Sequence, residues 1–362
     1  MDAIVIRRGE TAPEIVGKPR PDPGPGEALV RTLRVGVDGT DYEVIRGSHG
    51  GYPAGEDHLV LGHEAVGVVA ELPADAETDL EVGDVVVPTV RRPPAAGANG
   101  YFERGEADMA PPERTVERGI DGAHGFMAEY FTSPVEYLVS IPDDLAEWGF
   151  LVEPISISGK AIEHAAASRS AFEWTPESAL VLGNGCLGLL TLAMLGRRGY
   201  DRTYCLGRRD RPDPTIDVIE HLGATYVDSR ATPVDEIPEV YESVDFIYEA
   251  TGYARHPFEA VEALAPNGVA ALLGLPDSWA FEVDGGRLHE ELVMHNKALV
   301  GSVNSNRRHF AAAVETLADL PSWLREDLVT GVYGREDYRR AFPDTFDGDE
   351  RTIKTAVEFS TI

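Results

Sequence analysis

The chain has 362 residues, enough for two domains or one large one. Its hydrophobic content of 43% is ordinary for a soluble globular protein, and no apolar run reaches the length a membrane span needs. A net charge of −30, from 62 acidic against 32 basic side chains, argues against a nucleic-acid partner, and its spread along the chain argues against a disordered tail.

The opening "MDAIVIRRGE" lacks the basic start and long apolar region of a secretory signal. It reads as a first strand, and a cytoplasmic location is expected. Short β-like runs follow: "EALVRTLRVGV", "EAVGVVAEL", "DVVVPTV" and "EYFTSPVEYLVSI", separated by Pro, Gly and Asp clusters. They predict a β-rich, partly barrel-like domain over 1–152. Within it, residues 91–125 are polar and turn-rich and predict a surface lobe or lid.

After Trp148 the pattern changes. "GFLVEPISISGKAIEHAAA" predicts a helix, and "ESALVLGNGCLGLLTLAMLGRRGYDRTYCLGRRD" predicts strand, glycine turn, helix and strand. "ATYVDS", "DFIYEATG", "GVAALLGL" and "KALVGSVN" predict further strands with helices between most of them. Alternating β and α elements over 153–300 imply a doubly wound parallel sheet, an α/β architecture. Residues 301–362 return to the first domain: "HFAAAVETLADLPSWLREDLVTGVYGREDYRRAF" reads as helical and "IKTAVEF" as a terminal strand.

"VLGNGCLGLL" carries G-x-G-x-x-G spacing at Gly183, Gly185 and Gly188, with Asn184, Cys186 and Leu187 between them. It follows an apolar strand and opens an apolar helix, the context in which such a turn holds a dinucleotide pyrophosphate on a helix N-terminus. The next strand ends in Gly207, Arg208 and Arg209, where an NAD site usually has an acid for the ribose hydroxyls. Guanidinium groups suit a 2′-phosphate, so NADP is expected, while Asp210 just beyond keeps NAD in play. The two cysteines, Cys186 and Cys205, cannot build a cysteine-rich zinc site and read as buried structural thiols.

"GHEAVGVV", "VGDVVVP", "LVEP" and "GNGCLG", in that order, resemble the zinc-dependent medium-chain dehydrogenase/reductase superfamily over nearly the whole chain. "GAHGFMAEYF", "VEP", "LGRRD" and "GSVNSNRRHF" resemble more narrowly the archaeal glucose 1-dehydrogenases, the halophilic ones above all. The composition fits: only Lys18, Lys160, Lys297 and Lys354 are lysines, and acid-rich, lysine-poor chains resemble haloarchaeal cytosolic proteins. The resemblance implies a GroES-like catalytic domain joined to a Rossmann domain.

It also implies a catalytic zinc ion. The family's first ligand is commonly a cysteine in C-G-T-D; Asp38 of "DGTD" stands in its place. His63 of "GHE" would be the second ligand and Glu153 of "VEP" the third. Asp, His and Glu all bind zinc, and a catalytic site keeps one position open. A carboxylate in place of a thiolate lowers selectivity, so manganese or magnesium can compete. A metal-free site, as in the quinone-reductase-like branch, is the other reading of Asp38. Asp41 resembles the acceptor that orients the ligating histidine. Thr40 resembles the hydroxyl that relays the substrate proton. Glu64 is a base, a transient ligand or a neighbouring carboxylate. His49, in "RGSHGGYP", is a candidate end of the relay. The lobe has no cysteine, so no structural zinc is expected there.

For a sugar substrate the resemblance implies contacts from Glu129 in "GFMAEY", Asn304 in "GSVNSN", Glu153 and Thr40, with Asn304 near the nicotinamide too. Val90 and Ile157 stand where relatives can show an asparagine and an aspartate, so some sugar contacts differ. The implied reaction is hydride transfer from the anomeric carbon of an aldose, D-glucose first, to NADP or NAD, giving the aldonolactone. A zinc alcohol or polyol dehydrogenase of the same fold, and a non-enzymatic NADPH-binding relative, are the alternatives. A homodimer or tetramer is expected.

Overall fold

The computed structural model describes residues 1–73, 77–343, 345–346 and 351–362. It divides into two compact units, Met1–Ser156 with Asn304–Ile362, and Ile157–Val303.

The first unit is built around the strand Glu27–Val37. One edge pairs antiparallel with Glu64–Glu71; the other is shared by Tyr130–Pro134 and Lys354–Glu358, both antiparallel. Register shifts at Leu29/Val30 and Thr32/Arg34 bend the strand. The sheet runs from Leu138–Ser140 through Val85–Pro88, Glu64–Glu71 and Glu27–Val37 to Lys354–Glu358 and Val329–Gly334. The expected terminal strand "IKTAVEF" therefore does return to this unit. Its partner strand "VTGVYG" was expected to be helical. It alternates half-buried and exposed positions, and tertiary pairing with Lys354–Glu358 makes it β. The helices before it, Arg307–Asp319 and Ser322–Leu328, match the expected pattern.

The second unit carries six parallel strands in the order Thr225–Asp228, Arg202–Gly207, Ser178–Leu182, Val244–Glu249, Leu264–Leu272, Ala298–Gly301. Every residue of Ser178–Leu182 is buried, as a central strand covered on both faces requires. Strand order reverses at this strand, which makes its C-terminal end the topological switch point. This is the doubly wound α/β arrangement expected. Cys205 is buried there, and burial pushes its thiol up to about 12. Cys186 departs from expectation. It opens the helix Cys186–Arg197 and is only half-buried, because the first turn after the glycine loop is not covered by the sheet.

The lobe holds a small sheet of Arg91–Arg92, Val116–Arg118 and Gly122–Ala123, with short helical turns between. Without cysteines it is organised by two buried arginines. The Arg91 guanidinium donates to the carbonyls of Ala107, Asp108 and Ala110 at 3.3, 2.8 and 2.9 Å, and to Glu117 at 2.9 Å. Arg92 donates to Thr89 and Arg91 carbonyls and the Ser133 hydroxyl, and lies over the Tyr137 ring. A planar, permanently charged donor thus closes a turn whose carbonyls no strand satisfies. Arg91→Ala is expected to cost about 2–4 kcal/mol, since several buried carbonyls lose their donor at once. A denaturant titration measures the loss, and limited proteolysis should then cut within residues 93–114.

Candidate active site and metal centre

The helix Gly39–Arg46 fixes Asp38. Asp38 is its N-cap: Oδ1 accepts the Asp41 N–H at 3.1 Å, and Asp41 Oδ2 accepts the Asp38 N–H at 3.1 Å. This reciprocal box commits one oxygen of Asp38 to the helix and leaves the other free to face inward. That second oxygen, Oδ2, lies 3.6 Å from His63 Nε2 and accepts from Thr40 Oγ1 at 3.1 Å. His63 follows Gly62, whose φ of +85° turns the chain into the strand Glu64–Glu71. A Cβ on Gly62 would stand 2.6 Å from Met127 and Val35, so no larger residue fits. Glu153 lies in the first turn of the helix Val152–Ala167, before Pro154, which a first turn tolerates.

These elements bring together Asp38, Asp41, His63, Glu64 and Glu153. Ligand atoms of Asp38, Asp41 and His63 lie within 4.8 Å of one another, as do those of His63, Glu64 and Glu153. All except Asp38 are buried, and Asp38 keeps 28% of its side chain exposed. Asp41 does not accept from His63, as was expected of it. Its Oδ2 closes the helix cap, while Asp41 Oδ1 and His63 Nδ1 are both buried without a hydrogen-bond partner.

The cluster is electrostatically unbalanced. Burial, with the charges of Glu64 and Asp38, pushes Glu153 up to about 8 against the pull of His63 and Lys354. Burial, with Asp38 and Glu64, pushes Asp41 up to about 7. Burial also raises Glu64. On His63 burial works the other way, but Asp38, Glu153 and Asp41 outweigh it and raise the imidazole well above its usual value. Burial would raise Asp38 too, yet His63 and Lys354 hold it below the usual carboxylate range. Buried charges need a partner or an ion. Two groups 3.6 Å apart are too far for a hydrogen bond, while ligands on one tetrahedral zinc at about 2.0 Å lie about 3.3 Å apart. The donor set Asp–His–Glu, with orphaned atoms and surplus negative charge, fits a divalent ion.

Glu64 is engaged otherwise: its Oε2 pairs with the Lys354 ammonium, both side chains being nearly inaccessible. A third group, Glu56, His58 and His124, also has ligand spacing. There the Lys18 ammonium already sits 2.7 Å from His58 Nε2 and 3.3 Å from His124 Nε2. The Val60 N–H points at His124 Nδ1, which puts the ring proton on Nε2, facing Glu56 at 2.9 Å. This group reads as a satisfied network around an internal cation.

The other expected residues have partners of their own. Glu129 accepts the Asp2 N–H at 2.8 Å and pairs with Arg335. His49 is half-buried beyond the helix Gly39–Arg46. Asn304 takes φ +56°; its Oδ1 accepts the Ser305 N–H, and its Nδ2 donates to Glu117 at 3.0 Å. Glu117 links Asn304 to Arg91 and was not singled out in the sequence. One glutamate among 62 acids carries no local signal, and only the fold reveals its partners.

In the second unit the glycine turn is built as expected. Gly183 has φ +113°, a Cβ on Gly188 would stand 1.9 Å from the Gly183 carbonyl, and the space beyond Gly185 is open. The turn leaves a cradle at the N-terminus of Cys186–Arg197, suited to a pyrophosphate. Asn184 donates to Thr215 at 2.6 Å and would be struck by a Cβ on Gly207. Arg208 and Arg209 are exposed just past the strand end. Asp210 is held by Arg230 at 2.6 Å, which also grips Asp228. No described helix is long and apolar enough to cross a membrane.

Two family models match, an alcohol dehydrogenase GroES-like domain over residues 24–143 and a glucose dehydrogenase C-terminus over residues 146–359. The chain is 68% identical to glucose 1-dehydrogenase 1 of Haloterrigena turkmenica, covering 100% of both. It superposes with a TM-score of 0.96 on Haloferax mediterranei glucose dehydrogenase in complex with NADP, Zn and gluconolactone, at 66% identity over 100% of both chains. The D38C mutant of the Haloferax enzyme superposes at 0.95, at 65% identity over 100% of both chains. The chain therefore belongs to the glucose 1-dehydrogenases of the zinc-dependent medium-chain dehydrogenase/reductase superfamily.

Proposed function

We propose that this protein oxidises the anomeric carbon of D-glucose to the aldonolactone, with NADP as the preferred hydride acceptor and NAD as a second one. The observation that carries this reading is that two acidic groups of ligand spacing, Asp38 with Asp41 and Glu153 with Glu64, meet at the one buried imidazole of His63. Zinc held there supplies Lewis acidity toward the sugar's anomeric hydroxyl, and the bound dinucleotide accepts the hydride. The chain's own residues hold, orient and move protons. Asp38, kept ionised, supplies one carboxylate with its direction set by the helix cap. The Thr40 hydroxyl, oriented by its bond to Asp38, relays the proton of the sugar hydroxyl toward solvent. Asn304 orients the sugar with an amide whose two ends are already fixed. The reading extends to a cytoplasmic homodimer or homotetramer.

The direct test is glucose-dependent NADPH absorbance at high salt with added zinc, against chelator-treated protein. No turnover with zinc present would overturn the reading.

Glu153 and Asp41 are raised above their unfolded values, so the metal-free fold keeps protons that the unfolded chain releases. Their effect on stability is therefore unfavourable and grows as pH rises from about 4 toward 8. His63, also raised, contributes stability at low pH that is lost as pH rises through its folded value. Zinc must displace these protons. The rise in melting temperature on adding zinc is thus expected to be larger at pH 8 than at pH 6, and calorimetry should record proton release on binding.

Arg208→Ala with Arg209→Ala is expected to weaken NADP binding by about 10- to 100-fold, the scale of losing charge-assisted bonds to a phosphate, with little change for NAD. Equal losses for both cofactors would remove the phosphate role. Two glutamates compete for the sugar contact: Glu117 is bound to Asn304, Glu129 to Arg335. Glu117→Gln is expected to raise the KM for glucose by about tenfold, the scale of one charge-assisted bond, and Glu129→Gln to leave it nearly unchanged. Steady-state kinetics on both variants decides between them.

A further inference from the structure

The cluster around His63 offers more ligands than a catalytic zinc uses. Asp38, Asp41, Glu64 and Glu153 all lie beside one imidazole, yet three protein ligands and an open position are what such a site needs. Asp41 is partly withdrawn by the helix cap. The structure also shows what withdraws Glu64. Lys354 opens the strand Lys354–Glu358, which pairs with one edge of Glu27–Val37, while Glu64 begins the strand on the other edge. Their side chains meet over Gly36, which is opposite Glu64 in one register and Ala356 in the other. A Cβ on Gly36 would lie 2.2 Å from Glu64 Oε2 and 3.1 Å from Lys354 Cε, so the missing side chain is the passage through which the ion pair closes. The two side chains are 2–3% exposed, and a lone ammonium or carboxylate would not stay charged at that depth.

We propose that Lys354 is a positioning residue that keeps Glu64 from serving as a ligand to the metal ion, and so preserves the open position for the sugar. This rests on the reading of Asp38, His63 and Glu153 as the metal-binding set. A compact ammonium suits the role: it brings a single positive charge into a pocket of four acids, and its field reaches Asp38 and Glu153 as well as Glu64. Its charge opposes binding of a divalent ion at close range, so it also limits how tightly the ion is held.

Cobalt(II) substitution reports the ligand set, because four-coordinate sites absorb visible light strongly and their band positions move when a carboxylate replaces an exchangeable solvent ligand. Wild-type protein should give intense bands. Lys354→Met frees Glu64 to take the open position; it should shift the positions of those bands, tighten zinc by about tenfold or more in a chelator competition, and lower kcat more than it raises the KM for NADP. Lys354→Met with Glu64→Gln should regain the wild-type spectrum. A folded Lys354→Met protein with the wild-type spectrum and unchanged or weaker zinc binding would overturn the proposal. Should Lys354→Met fail to fold, Glu64→Gln alone decides: its cobalt spectrum should match wild type, and a changed one would show that Glu64 is already a ligand. Failure of wild-type protein to bind cobalt or zinc at all would instead remove the underlying metal reading.

Discussion

The division of labour between the two oxygens of Asp38 is the constraint on which the site depends. One oxygen terminates a helix, and the other faces His63. A cysteine at this position would offer only a weak acceptor for the helix N–H, so in the proposed site the aspartate joins local folding to metal binding in one side chain. The helix in turn presents Thr40 one residue later, with its hydroxyl on the same inward oxygen. Removing the cap would therefore displace the proposed ligand and the proposed relay group together.

What surrounds this point is a problem of charge. Three carboxylates and an imidazole are packed at a depth where isolated ions are unstable, with the half-buried Asp38 beside them. Without a divalent ion the fold responds by keeping protons, as the raised Glu153 and Asp41 show. Occupation by zinc and protonation are thus competing solutions to the same excess. Lys354 is a third and permanent contribution, and its position on the last strand ties the chain's C-terminal return to the chemistry of the first unit.

Much of this was legible in the sequence, for identifiable reasons. The glycine turn 183–188 is visible because its spacing follows an apolar strand and opens an apolar helix, and the structure shows one physical reason for it at Gly188, where a Cβ would strike the Gly183 carbonyl. The parallel sheet was visible because strands buried on both faces are apolar without alternation. The grouping of Asp38, His63 and Glu153 was reached only through resemblance, since residues 25 and 90 positions apart carry no local periodicity. Three features were not legible. "VTGVYG" follows two helices and becomes a strand only because a distant segment pairs with it. Glu117 acquires meaning from Arg91 and Asn304, which lie far from it in sequence. Asp41 was expected to hold the histidine, but its cap bond is local and geometrically simpler, and the local bond is the one formed.

The scarcity of lysine takes on a structural sense once each one is located. Lys354 pairs with Glu64; Lys18 sits among Glu56, His58 and His124; Lys160 donates to the Val303 carbonyl at 2.8 Å; Lys297 donates to the Val261 carbonyl and Glu291 at 2.8 Å each. None of the four is an exposed residue with a freely solvated head. Interior positions reward a compact charge on a flexible stem, which can reach one carbonyl or carboxylate through a narrow passage. Exposed cations in this chain are all arginine, whose weakly hydrated guanidinium competes less for water with a surface of net charge −30. Lysine in this chain is therefore confined to places where its head meets a protein acceptor. A buried lysine in such a chain marks a place where charge, and not solubility, set the choice of residue.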